Sequence, residues 1–294
     1  MIGTKSLSAL LLCASLAPAQ AGLFSSEPKK PTVSNETIAQ IQSAFDDQRY
    51  LDAGKILDQT LLSASDDPRL TYWAGKLSLV RGHYQDALTN FSRIKIEPVV
   101  RAQALEGEGI ALMQLGRLDE ALFTLQVAVR ENPRAWQAWN ALGSEYDRRH
   151  DWTNAETAYE HALAASDNAA IVLNNRGFSR LSQKKTDLAI PDFVAALQKK
   201  PDLAPARNNL RLAMSMQGEY DRAIKGAVAT DQAAILNNAG FAAIVRGDYA
   251  KAKDLLTQAM KAKNGYYAVA AANLEMAQNL AKGDAGEEGH AGSR

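Results

Sequence analysis

Four histidines, one cysteine and a spread of carboxylates are the residues of this 294-residue chain able to hold a metal or move a proton. A zinc site on a helix needs two histidines at i, i+4 on one face, or thiolates to complete the ligand set. His83, His150, His161 and His290 offer no such pair, and Cys13 stands alone. The sequence has no phosphate loop, no dinucleotide glycine fingerprint and no G-x-S-x-G turn. The 33 Asp and Glu residues are scattered and matched by 33 Lys and Arg, a pattern of solvated helix faces rather than of a paired acid and base. A net charge of zero gives no electrostatic drive toward nucleic acid or an acidic membrane surface. No residue is nominated for catalysis, cofactor binding or metal ligation, and a non-enzyme is expected.

The side chains with recognition chemistry are amides. Asn-Asn recurs at 174–175, 208–209 and 237–238, and Asn140 precedes Asn174 by 34 residues. An amide carries both donor and acceptor, so an aligned set can pair with the N–H and C=O groups of an extended peptide. Phe178, Leu212 and Phe241 stand one helical turn on from Asn174, Asn208 and Asn237, which places apolar groups beside the amides. Such a mixture reads as a protein-binding surface over Asn140, Asn174, Asn175, Phe178, Asn208, Asn209, Leu212, Asn237, Asn238 and Phe241. The alternative is that the amides bond their own backbone or the neighbouring helix. No basic pair is placed to grip a peptide's terminal carboxylate.

The elements that must carry these groups follow from an internal period. Gly75, Gly109, Gly143 and Gly177 are spaced by 34, as are Ala53, Ala87, Ala121, Ala155, Ala189 and Ala223, and as are Phe91, Leu125, Tyr159 and Phe193. Three registers sharing one period mark a stacked helical repeat. The clearest copy, 136–169, has Trp139, Leu142, Gly143 and Tyr146 on its first helix and Ala155, Tyr159 and Ala162 on its second. Gly143 and Ala155 mark close approach of two helices, and the bulky residues share one face. Seven units are predicted: 34–67, 68–101, 102–135, 136–169, 170–203, 204–232 and 233–266, followed by a capping helix over 267–281. The first unit is degenerate, with Ile41 at the glycine place. Turns inside the units are read at Gly82, Gly116, Gly218 and Gly247. The sixth unit is five residues short in its second helix, since Ala223 and the matching Ala252 are 29 apart rather than 34.

The motif set resembles the tetratricopeptide repeat, over roughly 34–266. That resemblance implies an all-α, right-handed superhelical solenoid that scaffolds other proteins through a concave groove. The segments LNNRGFSRL, ARNNLRLAMSMQGEYDRAI and LNNAGFAAIVRGDYAKA look like the TadD-type component of tight-adherence (Flp) pilus secretion systems. That narrower resemblance implies help in assembling a secretin or the pilus machine. Another periplasmic adaptor (polysaccharide export, cytochrome maturation, envelope assembly) and a regulator of a partner enzyme are the other readings.

Outside the repeats, Lys5, the apolar run 7–16 and the small residues 17–21 read as a secretory signal peptide over 1–21. The run is too short for a membrane span, which needs about 20 residues. The mature protein is expected in the periplasm, free or associated with the outer membrane. A lipid anchor at Cys13 is disfavoured because Leu12 fills the place usually held by Gly or Ala. Residues 22–33 read as a linker and 282–294 as a disordered tail.

Overall fold

The structure, a computed structural model, describes residues 33–63, 66–94, 98–166, 169–263 and 265–291. The expected signal peptide, Cys13 and nearly all of the expected linker lie outside them. Fifteen helices and no strand are found among the described residues. They alternate as first and second helices of successive units: α1 (Asn35–Asp46) and α2 (Tyr50–Leu61), α3 (Pro68–Val80) and α4 (Tyr84–Ser92), α5 (Pro98–Gln114) and α6 (Leu118–Glu131), α7 (Trp136–Arg148) and α8 (Trp152–Ala165). The series continues with α9 (Ala169–Ser182) and α10 (Thr186–Lys199), α11 (Ala204–Met216) and α12 (Tyr220–Ile224), α13 (Ala229–Val245) and α14 (Tyr249–Ala262), and ends in α15 (Ala268–Ala291).

One packing device repeats along the stack. The eighth residue of units two to five and seven is a glycine, and a bulky residue sixteen places later drops onto it. A methyl group on Gly75 would lie 2.6 Å from the Phe91 ring, on Gly109 2.6 Å from Leu125, on Gly143 2.6 Å from Tyr159 and on Gly177 2.7 Å from Phe193. Gly240 meets Leu256 in the same way at 2.6 Å, a pair the sequence reading left out. The alanines of the second register, Ala53 to Ala252, are fully buried where neighbouring helices touch. Apolar burial then joins each unit to the next, as a quasi-one-dimensional stack requires.

The turns between paired helices hold a residue with positive φ at Gln48, Gly82, Gly116, His150, Lys184, Gly218 and Gly247. Glycine takes this conformation without steric penalty, and three of the seven turns adopt it with a side chain.

The contacts between units set the direction of curvature. Each first helix comes within 8 Å, Cα to Cα, of the next first helix along the whole series, whereas among the described residues no second helix comes that close to the next, the pair α12 and α14 being joined only through the Lys251–Asp221 side chains at 3.3 Å. The first helices therefore line the inner side of the curve and the second helices fan out on the outer side.

Two departures affect the surface. In the sixth unit the glycine place is taken by Arg211, and the residue sixteen on, Ala227, lies past the end of α12, which has only five residues. With no second-helix side chain to meet it there, an arginine fits where units two to five and seven keep a glycine. Residues that would lengthen α12 instead form an extra first turn of α13, which begins at Ala229 rather than at the predicted 233. At the C-terminal end, α15 continues to Ala291, where a disordered tail was predicted from 282. The segment 282–291 contains no proline, so nothing in it blocks helical hydrogen bonding.

Candidate protein-binding groove

The amides are built into the first helices at the fifth and sixth places of their units, so they all face the inner side. Several bond to one another across unit boundaries. Asn175 Nδ2 donates to Asn140 Oδ1 at 3.0 Å, and Asn209 Nδ2 donates to Asn174 Oδ1 at 3.0 Å. A third rung at the end of the stack runs from Asn273 Nδ2 to Asn237 Oδ1, also at 3.0 Å. Within a pair, Asn174 donates to Asn175 at 3.1 Å and Asn237 to Asn238 at 3.4 Å. Asn174 and Asn237 are buried. These two amides are struts between units. Asn273 went unread because it sits inside the alanine-rich stripe of the last helix.

The remaining predicted residues lie on the accessible side. Phe178 and Phe241 are 51% and 44% exposed, large values for phenylalanine on a packed helix. Asn208 and Asn238 are exposed, while Asn140, Asn175, Asn209 and Leu212 are half-buried. Phe178 lines a pocket of about 420 Å³ between α7 and α9, with Asn175, Asp147 and Ser182 around it. Asp147 is held there by Tyr159 Oη at 2.8 Å and Ser179 Oγ at 2.6 Å, both donating to its carboxylate. Burial nevertheless pushes its carboxyl above the ordinary value, against those two bonds. Behind the groove, Arg176 and Arg180 of α9 bridge Asp192 of α10 and Glu156 of α8. The contacts to Asp192 are 2.7 Å from Arg176 and 2.9 Å from Arg180. This buried network fixes the helix that presents Phe178.

Further toward the N-terminus the amide pattern gives way to ionisable groups. Glu106 holds the fifth place of the third unit. Burial pushes its carboxyl up to about 7, opposed by Lys76 and by the Ala138 N–H. An acid with a raised folded-state pKa stabilises the fold below its unfolded value, and that stability is lost as pH rises through about 7. Glu106→Gln should therefore leave stability near pH 4 little changed and raise it at pH 8 by on the order of 2 kcal/mol. Urea unfolding of both proteins at the two pH values checks this. Equal pH dependence in the two would contradict it.

No group of three His, Cys, Asp or Glu side chains able to hold a metal occurs among the described residues. His161 stacks on Trp139 with ring centroids 4.4 Å apart, and His83 and His150 lie in turns. No helix among the described residues is long and apolar enough to cross a membrane.

Residues 106–170 and 140–208 match the tetratricopeptide-repeat family model. The chain is 34% identical over 121 residues to cellulose synthase operon protein C of Escherichia coli K12, covering 41% of this chain and 10% of that protein. It thus spans about a tenth of the length of that curated relative. Among solved structures it is similar to TTC0263, a thermophilic tetratricopeptide-repeat protein of Thermus thermophilus. There the TM-score is 0.53 at 23% identity, over 61% of this chain and 97% of that one. It is also similar to the Cut9–Hcn1 hetero-tetramer of APC/C, with a TM-score of 0.65 at 16% identity, over 84% of this chain and 49% of that one. The architecture is that of a tetratricopeptide-repeat solenoid.

Proposed function

We propose that this protein is an exported scaffold that holds partner proteins on the inner face of its last three units and helps assemble a tight-adherence (Flp) pilus secretion system. The carrying observation is the pair of exposed phenylalanines, Phe178 and Phe241, on the side lined by the first helices. Apolar groups left open beside polar ones on a packed surface favour a protein partner. Export rests on the leader-like segment 1–21, and the pilus role on the resemblance of the Asn-Asn segments to TadD-type components. Partners in this reading are secretin or pilus-assembly components in the periplasm or at the outer membrane. The scaffold itself is read as non-catalytic. An adaptor role in polysaccharide export is a second reading, favoured by the similarity to cellulose synthase operon protein C.

Deletion of the gene, followed by blotting of sheared surface pilin and staining of surface polysaccharide, separates the two. Loss of surface pilin with pilin retained inside the cell is the expected result. Normal surface pilin with lost polysaccharide would replace the pilus role by the second reading.

A further inference from the structure

The rungs between units are not continuous. The sixth-place amide donates to the preceding fifth-place amide at Asn175–Asn140 and Asn209–Asn174, but Asn238 makes no such bond to Asn208. The side-chain amide of Asn208 has no hydrogen bond to any described residue, and that of Asn238 only accepts a long one from Asn237. Both amides are exposed and line one pocket of about 260 Å³ between α11 and α13. The interruption coincides with the shortened α12. The extra first turn of α13 supplies Thr230 and Asp231 as one wall of that pocket, and Arg211 lines the wall opposite, on α11. Arg211 forms no ion pair among the described residues; the one hydrogen bond of its guanidinium is Nη2 to the Lys225 carbonyl at 3.5 Å. Asp231 likewise has only a hydroxyl partner, Thr230, at 3.1 Å.

We infer that this notch is a peptide-binding site, in which one peptide unit of a partner protein completes the open rung and an acidic side chain beside it pairs with Arg211. The unit's N–H donates to Asn208 Oδ1, and its C=O accepts from Asn238 Nδ2. A peptide group has the donor and acceptor that two uncommitted amides call for, whereas a purely apolar segment would leave both unbonded. Arg211 stands where units two to five and seven keep a glycine and unit one an isoleucine, so its charge is specific to this unit. Asp231 opposes a second acidic residue and so restricts where the acidic side chain can lie. This deepens the groove reading and rests on it: it selects a single junction of the stack and one charge preference.

The test uses the full chain on arrayed octapeptides, with peptides that bind remade and titrated by fluorescence anisotropy. Acidic peptides should predominate. Asn208→Ala with Asn238→Ala should weaken them about tenfold, since two hydrogen bonds are lost. Arg211→Gln should weaken acidic peptides by a similar factor, and Asp231→Asn should tighten them. Asn273→Ala, which removes a closed rung outside the notch, should change affinity less than about twofold. In the unmutated protein, adding a bound peptide should shift the side-chain amide resonance of Asn238, a readout independent of whether any variant folds. The absence of peptide binding, equal binding by the double variant, or no preference for acidic peptides would each overturn the proposal. If a partner protein docks through Phe178 and Phe241 while the notch variants hold it as tightly as the parent, the notch fails and the groove reading stands.

Discussion

A Gly143→Leu variant is expected to lose on the order of 3 kcal/mol of stability, near the upper end of what overpacking a core does. The first side-chain atom would lie 2.6 Å from Tyr159 Cε1 and 2.7 Å from Cζ, closer than packed carbons approach. Tyr159 is fully buried, and its hydroxyl is tied to Asp147 at 2.8 Å, so the ring can shift only at the expense of that bond and of its packing. Leucine's better helix propensity, worth about 1 kcal/mol over glycine, offsets only part of the clash. Urea unfolding measures the difference. A midpoint equal to that of the parent would mean that the helix pair is not packed as described.

Asp192→Ala should be comparably damaging for an electrostatic reason. Asp192 is buried and receives both Nε and Nη2 of Arg176, at 3.0 and 2.7 Å, and Nη1 of Arg180 at 2.9 Å. Removing it leaves Arg176 with Glu156 at only 3.9 Å, while Arg180 keeps the same carboxylate at 2.5 Å. Breaking a buried pair on one side strands a desolvated charge, a loss of about 3 kcal/mol or more. The milder Asp192→Asn keeps the shape and part of the hydrogen bonding, and should fall between the parent and Asp192→Ala. A loss under about 0.5 kcal/mol, the range of an exposed pair, would show the network to be solvated.

The period of 34 carried most of the fold in advance, because packing a bulky side chain onto a glycine restricts both residues at once. Gly143 with Tyr159 and Gly177 with Phe193 are legible for that reason. The turn conformation was legible only where it recruits glycine. Gln48, His150 and Lys184 adopt the same positive φ, held by the helices on either side, and no residue type announces it. The shortened sixth unit was visible as a spacing of 29, but not its consequence. That Arg211 replaces a glycine, and that α13 gains a turn, depend on where the chain re-enters the helix. The amides were legible as a ladder with bonding to the neighbouring helix as the alternative, but not which of them are struts. Sequence places Asn174 on the inner face, and only the approach of α7, α9 and α11 shows that its neighbours are other asparagines rather than solvent.

The central claim is that partners are held on the side lined by the first helices, and site-specific photocrosslinking tests it most directly. A benzophenone amino acid, close in shape to phenylalanine, would replace Phe178, Phe241 or Phe123 in the cell. Phe123 is the control: it is 65% exposed, more than either groove residue, but it lies on the second helix α6. The account predicts one shared covalent adduct from positions 178 and 241 and none from 123. Adducts from 123 alone, with the two groove positions silent, would contradict it.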